Sequence, residues 1–332
     1  MPRNDRIFYA CQAVAITPTG VDPASTHIVR GLQSVGMNST FTLDQVFEIG
    51  QLELYENIED VSDTEVSLEK VIDGEKLIFN LTSNGKCKTD LVGAAKARCD
   101  VYVAIYDDGT ANATGAVRNV CWNSGMYVSN VSYNYSVDGN ATESVTLVGN
   151  DKFWNADTGG PATAYARWVA GGSPLATGFN TDTPASGVVR RVNFNVAGST
   201  IPEIVNSQRG DLANSTHIQS ISVSADFGQE NILELGRLGP YAKFTSFPIE
   251  VTCEFEVIAT SGDLKSVSGS NKNLGAGDSI VLRDTAGTVI NLGNKNKLTA
   301  ISYSGGDTGG GNATVTYSFS NYNNLTVLDG GA

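Results

Sequence analysis

Apolar and polar residues alternate along much of the chain, the period of a strand with one buried face. Arg6 to Ile16 reads as a strand closed by Thr17-Pro18-Thr19-Gly20. Ile28 to Leu43 alternates more loosely, through Leu32, Val35, Met37 and Phe41. The pattern breaks at Gly50, between Val46-Phe47-Glu48-Ile49 and Leu52, which predicts a bulge or a close backbone approach there. Thr64 to Asp73 reads as a strand that turns at Asp73-Gly74 into a second strand over Lys76 to Leu81, giving a hairpin. Asp90 predicts the N-cap of a short helix over Leu91 to Ala97, with Arg98 favourable at its C-terminal end. Val101–Tyr106, Val128–Val137 and Ser144–Val148 follow as strands, with turns at Asp107-Asp108-Gly109 and Asp138-Gly139-Asn140.

The same programme is then written a second time. Glu48 and Glu234, Gly50 and Gly236, Leu52 and Leu238, and Tyr55 and Tyr241 all stand 186 positions apart. Glu65 and Glu69 recur as Glu250 and Glu254 at 185. Ser25-Thr26-His27-Ile28 recurs as Ser215-Thr216-His217-Ile218, so the chain's two histidines are expected at equivalent places. Val131-Ser132-Tyr133 pairs with Ile301-Ser302-Tyr303, and Asn140-Ala141-Thr142 with Asn312-Ala313-Thr314. An ordered set of matches marks a duplication. It predicts homologous domains at 1–150 and 190–332, with a helix in the first and, where the second has Gly and Asn, none there. Between them, 151–189 is rich in Gly, Pro, Ala and Thr yet holds Phe153, Trp154 and Trp168. That segment reads as a flexible linker or as an ordered arm whose aromatic side chains dock on a neighbouring subunit.

Composition fixes the class. Charged residues are 17% of the 332 and glycine numbers 36, with abundant Ser, Thr, Asn and Val, so the chain is expected to be all-β. The net charge of −13 disfavours tight binding to nucleic acid but suits a wall past which DNA must slide. No run of about 18 apolar residues occurs, and the N-terminus lacks a signal-peptide pattern, so a soluble protein folded in the cytosol is expected. Cys11, Cys87, Cys99, Cys121 and Cys253 show no ligand spacing and read as reduced, buried thiols.

Candidate chemistry is sparse. His27 and His217 have no second ligand at metal spacing, and Ser25 and Ser215 lack a nucleophile elbow. The acidic turns lack the other ligands of a calcium loop, and the Gly-rich segments lack the Lys-Ser/Thr of a phosphate loop. Several Asn-x-Ser/Thr triplets, as at Asn38 and Asn80, follow from the turn-rich composition without an export signal. Glu65/Glu69 and Glu250/Glu254 sit at even spacing on strands, a solvated face or the lining of a wide channel. No catalytic residue, cofactor or metal is expected, and an enzyme is the least supported reading.

With chemistry absent, the strings themselves are informative. Gln33-Ser34-Val35-Gly36, Phe47 to Ile58, Glu65-Val66, Glu69 to Gly74 and Val148-Gly149-Asn150-Asp151-Lys152 resemble the major tail tube proteins of tailed bacteriophages, over most of 28–155 and more faintly 214–328. The resemblance implies tandem tail-tube-like β-sandwich or half-barrel domains whose hairpins join those of neighbours into a barrel. It further implies stacked trimeric, pseudo-hexameric rings that conduct viral double-stranded DNA, in a virion tail assembled in the host cytoplasm. Implied partners are further copies of the chain, the terminator, baseplate or tip, tape measure and possible sheath, with no membrane. On that reading Glu65, Glu69, Glu250 and Glu254 face the lumen, on hairpins near 64–81 and 249–258, and Phe153, Trp154 and Trp168 lie between subunits. A head decoration protein or a glycan-binding adhesin would share the composition.

Overall fold

The computed structural model describes residues 7–106, 117–154, 164–170, 186–207, 217–266, 277–306, 308 and 310–330. The first half contains β1 (Gln12–Pro18), β2 (Leu32–Thr40), β3 (Leu43–Phe47), β4 (Leu54–Glu59), β5 (Asp63–Val71), helices α1 (Ile78–Thr82) and α2 (Leu91–Ala95), β6 (Cys99–Tyr106), β7 (Val117–Ser136), β8 (Thr142–Gly149) and β9 (Asp151–Trp154). Helices α3 (Ala164–Ala170) and α4 (Glu203–Asn206) follow. Then come β10 (Ile218–Asp226), β11 (Gln229–Ile232), β12 (Ala242–Thr245), β13 (Glu250–Ile258), β14 (Val281–Arg283), β15 (Val289–Asn291), β16 (Lys297–Ser304), β17 (Thr314–Tyr322) and β18 (Thr326–Leu328). The fold is all-β, as the alternation predicts, and every named strand pair is antiparallel.

One sheet runs through both halves in the order β16-β17-β13-β10-β7-β8-β5-β2. The two halves contribute the same four-strand motif, β2-β5-β8-β7 and β10-β13-β17-β16, joined edge to edge where β7 pairs with β10. The registers repeat down to their irregularities. The β7–β8 ladder shifts between Val128 and Asn130, and the β16–β17 ladder shifts between Leu298 and Ala300. The β2–β5 and β10–β13 ladders shift at Leu32/Ser34 and Ile218/Ser220.

The apolar face carries the core. Val66, Leu68, Val131, Tyr133, Val145 and Leu147 meet Val223, Val251, Phe255, Tyr317 and Phe319 in one continuous buried cluster. It is roofed by β1 and β6, by α1 and α2, and by the small sheet β14-β15-β18. The upper half of β7 leaves this sheet near Gly125, whose φ of +65° favours glycine, and pairs with β6 and β9 instead. There β6 is buried along its whole length, because α3 covers its second face.

Several expectations are corrected. Residues 78–82 form α1 and not the second strand of a hairpin, because the whole segment is buried and Glu143 caps its N-terminus. The Glu143 carboxylate accepts from the backbone N–H groups of Ile78 at 2.6 Å and Phe79 at 3.0 Å. Tyr9–Cys11 is a 3-10 turn ahead of β1 instead of part of it. Gly50 and Gly236 are neither bulges nor close approaches. They occupy hairpin tips at φ of +105° and +87°, with no atom within 4 Å of where a Cβ would stand. Asp90 does cap α2, its side chain accepting from the Gly93 N–H. The turn at 107–109 and most of the predicted linker, 155–163 and 171–185, lie outside the described residues, as does Ser215.

Candidate functional site

The second face of the eight-stranded sheet is mostly polar, with Val148 and Tyr322 its apolar members among the rows below. Directly paired residues share a face, so the registers assemble it row by row. One row runs Asn38, Glu65, Val148 across β2, β5 and β8. Another runs Gly36, Ser67, Thr146, Asn130, Asp226, Glu250 and Tyr322. A third is Ser34, Glu69, Ser144, Ser132, Ser224, Thr252, Ser320 and Lys297. Glu254 and Glu256 stand on the same face, between Ser222 and Ser318 and between Ser220 and Thr316.

Hydroxyls hold the carboxylates in place. Ser220 donates to Glu256 at 3.0 Å and Ser318 to Glu254 at 3.0 Å, while Ser224 and Thr252 bond across the ladder at 2.7 Å. Asp63, Glu65, Glu69, Asp226, Glu250, Glu254 and Glu256 make this surface strongly anionic, with Lys297 the cation among its paired strand positions. Such a wall repels phosphate.

The four glutamates singled out in the sequence therefore share one face of one sheet. Glu65 and Glu250 stand four strand spacings apart, about 19 Å at the usual separation. Their pairing as equivalents is corrected, however. Because Ser34 faces Glu69 while Ser220 faces Glu256, Glu69 corresponds to Glu256 and Glu65 to Thr252. The two-residue slip preserves the face, since side chains alternate with period two. The histidines are likewise not equivalent. His217 directly precedes β10, whereas His27 ends a 3-10 turn well before β2, where its Nδ1 accepts from the Ala24 N–H at 3.1 Å. Burial, then the nearby Lys76, lowers the His27 pKa. Among the described residues no group of His, Cys, Asp and Glu is placed to hold a metal ion.

Trp168 is fully buried within its own chain, where its indole donates to the Tyr106 hydroxyl at 3.2 Å. It is a core residue of the first half, not a side chain left over for a neighbour. Arg167 lies 4.6 Å from the Trp122 ring and pairs with Asp22 at 3.1 Å, fastening α3 to the upper sheet. Phe153 and Trp154 sit on β9, half exposed, with Phe153 against Trp122.

Pattern reading missed the sheet's two free edges, β2 and β16, and the two projecting ribbons, β3–β4 and β11–β12. The edges are legible only once the strand order is known. The ribbon tips carry fully exposed Ile49, Leu52 and Leu235. Their shared sequence was the strongest repeat signal in the chain.

No family model matches this chain, and no curated protein matches it. Among solved structures it is similar to a chain of an extracellular contractile injection system, the PVC sheath-tube complex in the extended state (TM-score 0.34, 13% identity, covering 46% of this chain and 92% of that one). It is also similar to a chain of the PVC sheath/tube terminator in the extended state (0.34, 16%, 46% and 97%). A third similarity is to a chain of the anti-feeding prophage baseplate (0.33, 9%, 46% and 97%).

Proposed function

We propose that the chain is the repeating subunit of a tail tube, its acidic sheet face forming the wall of a channel for double-stranded DNA. The observation that carries this reading is that the chain leaves open the same pair of edges that it joins internally. In the strand order, β16 is the counterpart of β7 and β2 the counterpart of β10. A second copy can therefore repeat the β7–β10 joint with β16 and β2. Such a heterologous contact closes into a ring when its rotation allows, and closure removes both sticky edges.

The internal joint specifies the external register. Ser132 faces Ser224, so Ser302 is to face Asn38 of the next copy; Tyr133 faces Val223, so Tyr303 is to face Met37. Tyr133 is 1% exposed beneath the internal joint, and Tyr303, at the open edge, is 53% exposed. Three chains supply six repeats, a pseudo-sixfold ring. Rings stack into the tube of a virion tail, built in the host cytoplasm and meeting terminator, baseplate or tip, tape measure and sheath proteins. On this reading the chain performs no catalytic step.

The test is a chain bearing Asn38→Cys and Ser302→Cys, joined by oxidation or a short bis-thiol reagent. The two positions lie at opposite edges of the sheet, seven strand spacings or about 34 Å apart, so a link joins separate copies. Covalent rings with the mass of three chains are expected. A protein that stays monomeric, or assembles without a 38–302 link, overturns the reading.

A further inference from the structure

The ribbon β11–β12 does not stand free at its base; it leans across the internal joint onto the first half. Gln229 donates to the Val128 carbonyl at 2.8 Å, Thr245 to the Ala95 carbonyl at 3.1 Å, and Lys243 lies 3.8 Å from Asp63. Residues 237–243 form one wall of a cleft whose other walls include Tyr127, Asn150 and Asp151. The matching ribbon β3–β4 has the same register, Leu43 opposite Glu59 as Gln229 is opposite Thr245. Yet β4 is exposed at every position. An isolated two-stranded ribbon with apolar residues on both faces is marginal in water, so β3–β4 lacks the support that its twin receives.

We propose that β3–β4 is a clasp that crosses the open joint and lies on the second half of the next copy, over Lys295 and Lys297. This rests on the edge-to-edge reading above and names a further surface within it. By register Lys297 takes the place of Tyr127, and Lys295 lies two residues ahead of it. The charges of the two contacts are inverted. Residues 237–243 carry Arg237 and Lys243 and no carboxylate; Lys243 lies beside Asp63, and Arg237, 3.7 Å from Glu234 of its own ribbon, lines a cleft whose other charged residues are Glu59, Asp60, Asp151 and Arg98. Residues 51–57 carry Glu53 and Glu56 and no cation, and meet the two lysines. Where Lys243 stands near Asp63, neutral Asn57 stands near Glu250, which avoids a clash of like charges.

The inversion also gives the clasp selectivity. An acidic ribbon placed on the first half would meet a wall with more acidic than basic groups, Asp63, Glu59, Asp60 and Asp151 against Arg98, and a basic ribbon on the second half would meet lysines. Each ribbon thus fits one kind of joint, and copies add head to tail in a single order.

The experiment compares the intact chain with Glu53→Lys/Glu56→Lys, with Lys295→Glu/Lys297→Glu, and with all four substitutions combined. All carry the 38–302 cysteine pair, and thermal melting checks that each folds. Either pair alone is expected to raise the concentration needed for ring formation about tenfold or more, and the combination to restore it. A thiol link between Glu56→Cys and Lys297→Cys of separate copies is expected in the assembled state and does not depend on the charge variants. If the charge variants assemble as the intact chain does and the 56–297 link fails to form, the clasp is overturned while the edge joint stands. If the intact chain never forms the 38–302 link, the joint itself falls and the clasp with it.

Discussion

Glu143 holds a carboxylate in full burial, where it accepts from Ile78, Phe79 and the Tyr133 hydroxyl, the last at 3.1 Å. Burial raises its pKa above the ordinary 4.5, with Lys70 and the two backbone donors opposing less strongly. The folded protein therefore holds this proton more tightly than the unfolded chain does. Its contribution to stability is complete below the unfolded pKa and is lost as pH rises through the folded one. Asp284, desolvated beside Tyr135, is shifted in the same direction. These two carboxyls thus make the stability of the single chain fall as pH climbs above 4.5, and the lowered pKa of His27 works in the opposite sense as pH rises through 6.5. Glu143→Gln should reduce that slope without abolishing it, because Asp284 and Asp278, both raised by burial, remain. Denaturant unfolding at a series of pH values checks this, and an identical slope in the variant would remove Glu143 as its source.

At the scale of elements, the position of Trp168 decides what α3 does. Its burial against Tyr102 and Tyr106 makes Trp168→Ala a large-to-small core change, expected to cost about 3–5 kcal/mol in chemical denaturation. The 38–302 link between copies should survive at temperatures where the variant stays folded. Unchanged stability with lost assembly would return Trp168 to an interface. The sequence concealed this because 151–189 has a linker's composition, and burial by β6 and β7 comes from residues far along the chain. For α1 the difficulty was of another kind. The apolar run Leu77–Leu81 suits a buried strand as well as a buried helix, and the carboxylate that settles it stands 65 residues away from Ile78. Strands such as β5 and β13 were legible because Val66/Leu68 and Val251/Phe255 alternate with polar neighbours. The same alternation put Glu65 with Glu69 and Glu250 with Glu254 on one face of each strand, while their common sheet face emerges only from the strand order, and identity matching paired them two residues out of register.

For the whole molecule, duplication and charge act together. In the proposed ring, fusing two four-strand motifs would make one joint in every two permanent, so only the β16–β2 joint would depend on concentration. Alternation along the strands decides which residues share a face of any such ring. The apolar side is covered by β1, β6, the helices and β14-β15-β18, which leaves the acidic side exposed. In the proposed channel a duplex would meet carboxylates and hydroxyls and release few counterions, so it should move without being held. Replacing Glu65, Glu69, Glu254 and Glu256 by lysine is therefore expected to leave the 38–302 link intact while turning the tube into a DNA trap. Short labelled duplexes should co-sediment with variant tubes, and release should steepen with added salt. Intact tubes should retain little at any ionic strength. If the lysine tubes retain no more DNA than intact ones, the acidic face lies outside the channel and the sheet is turned the other way in the wall.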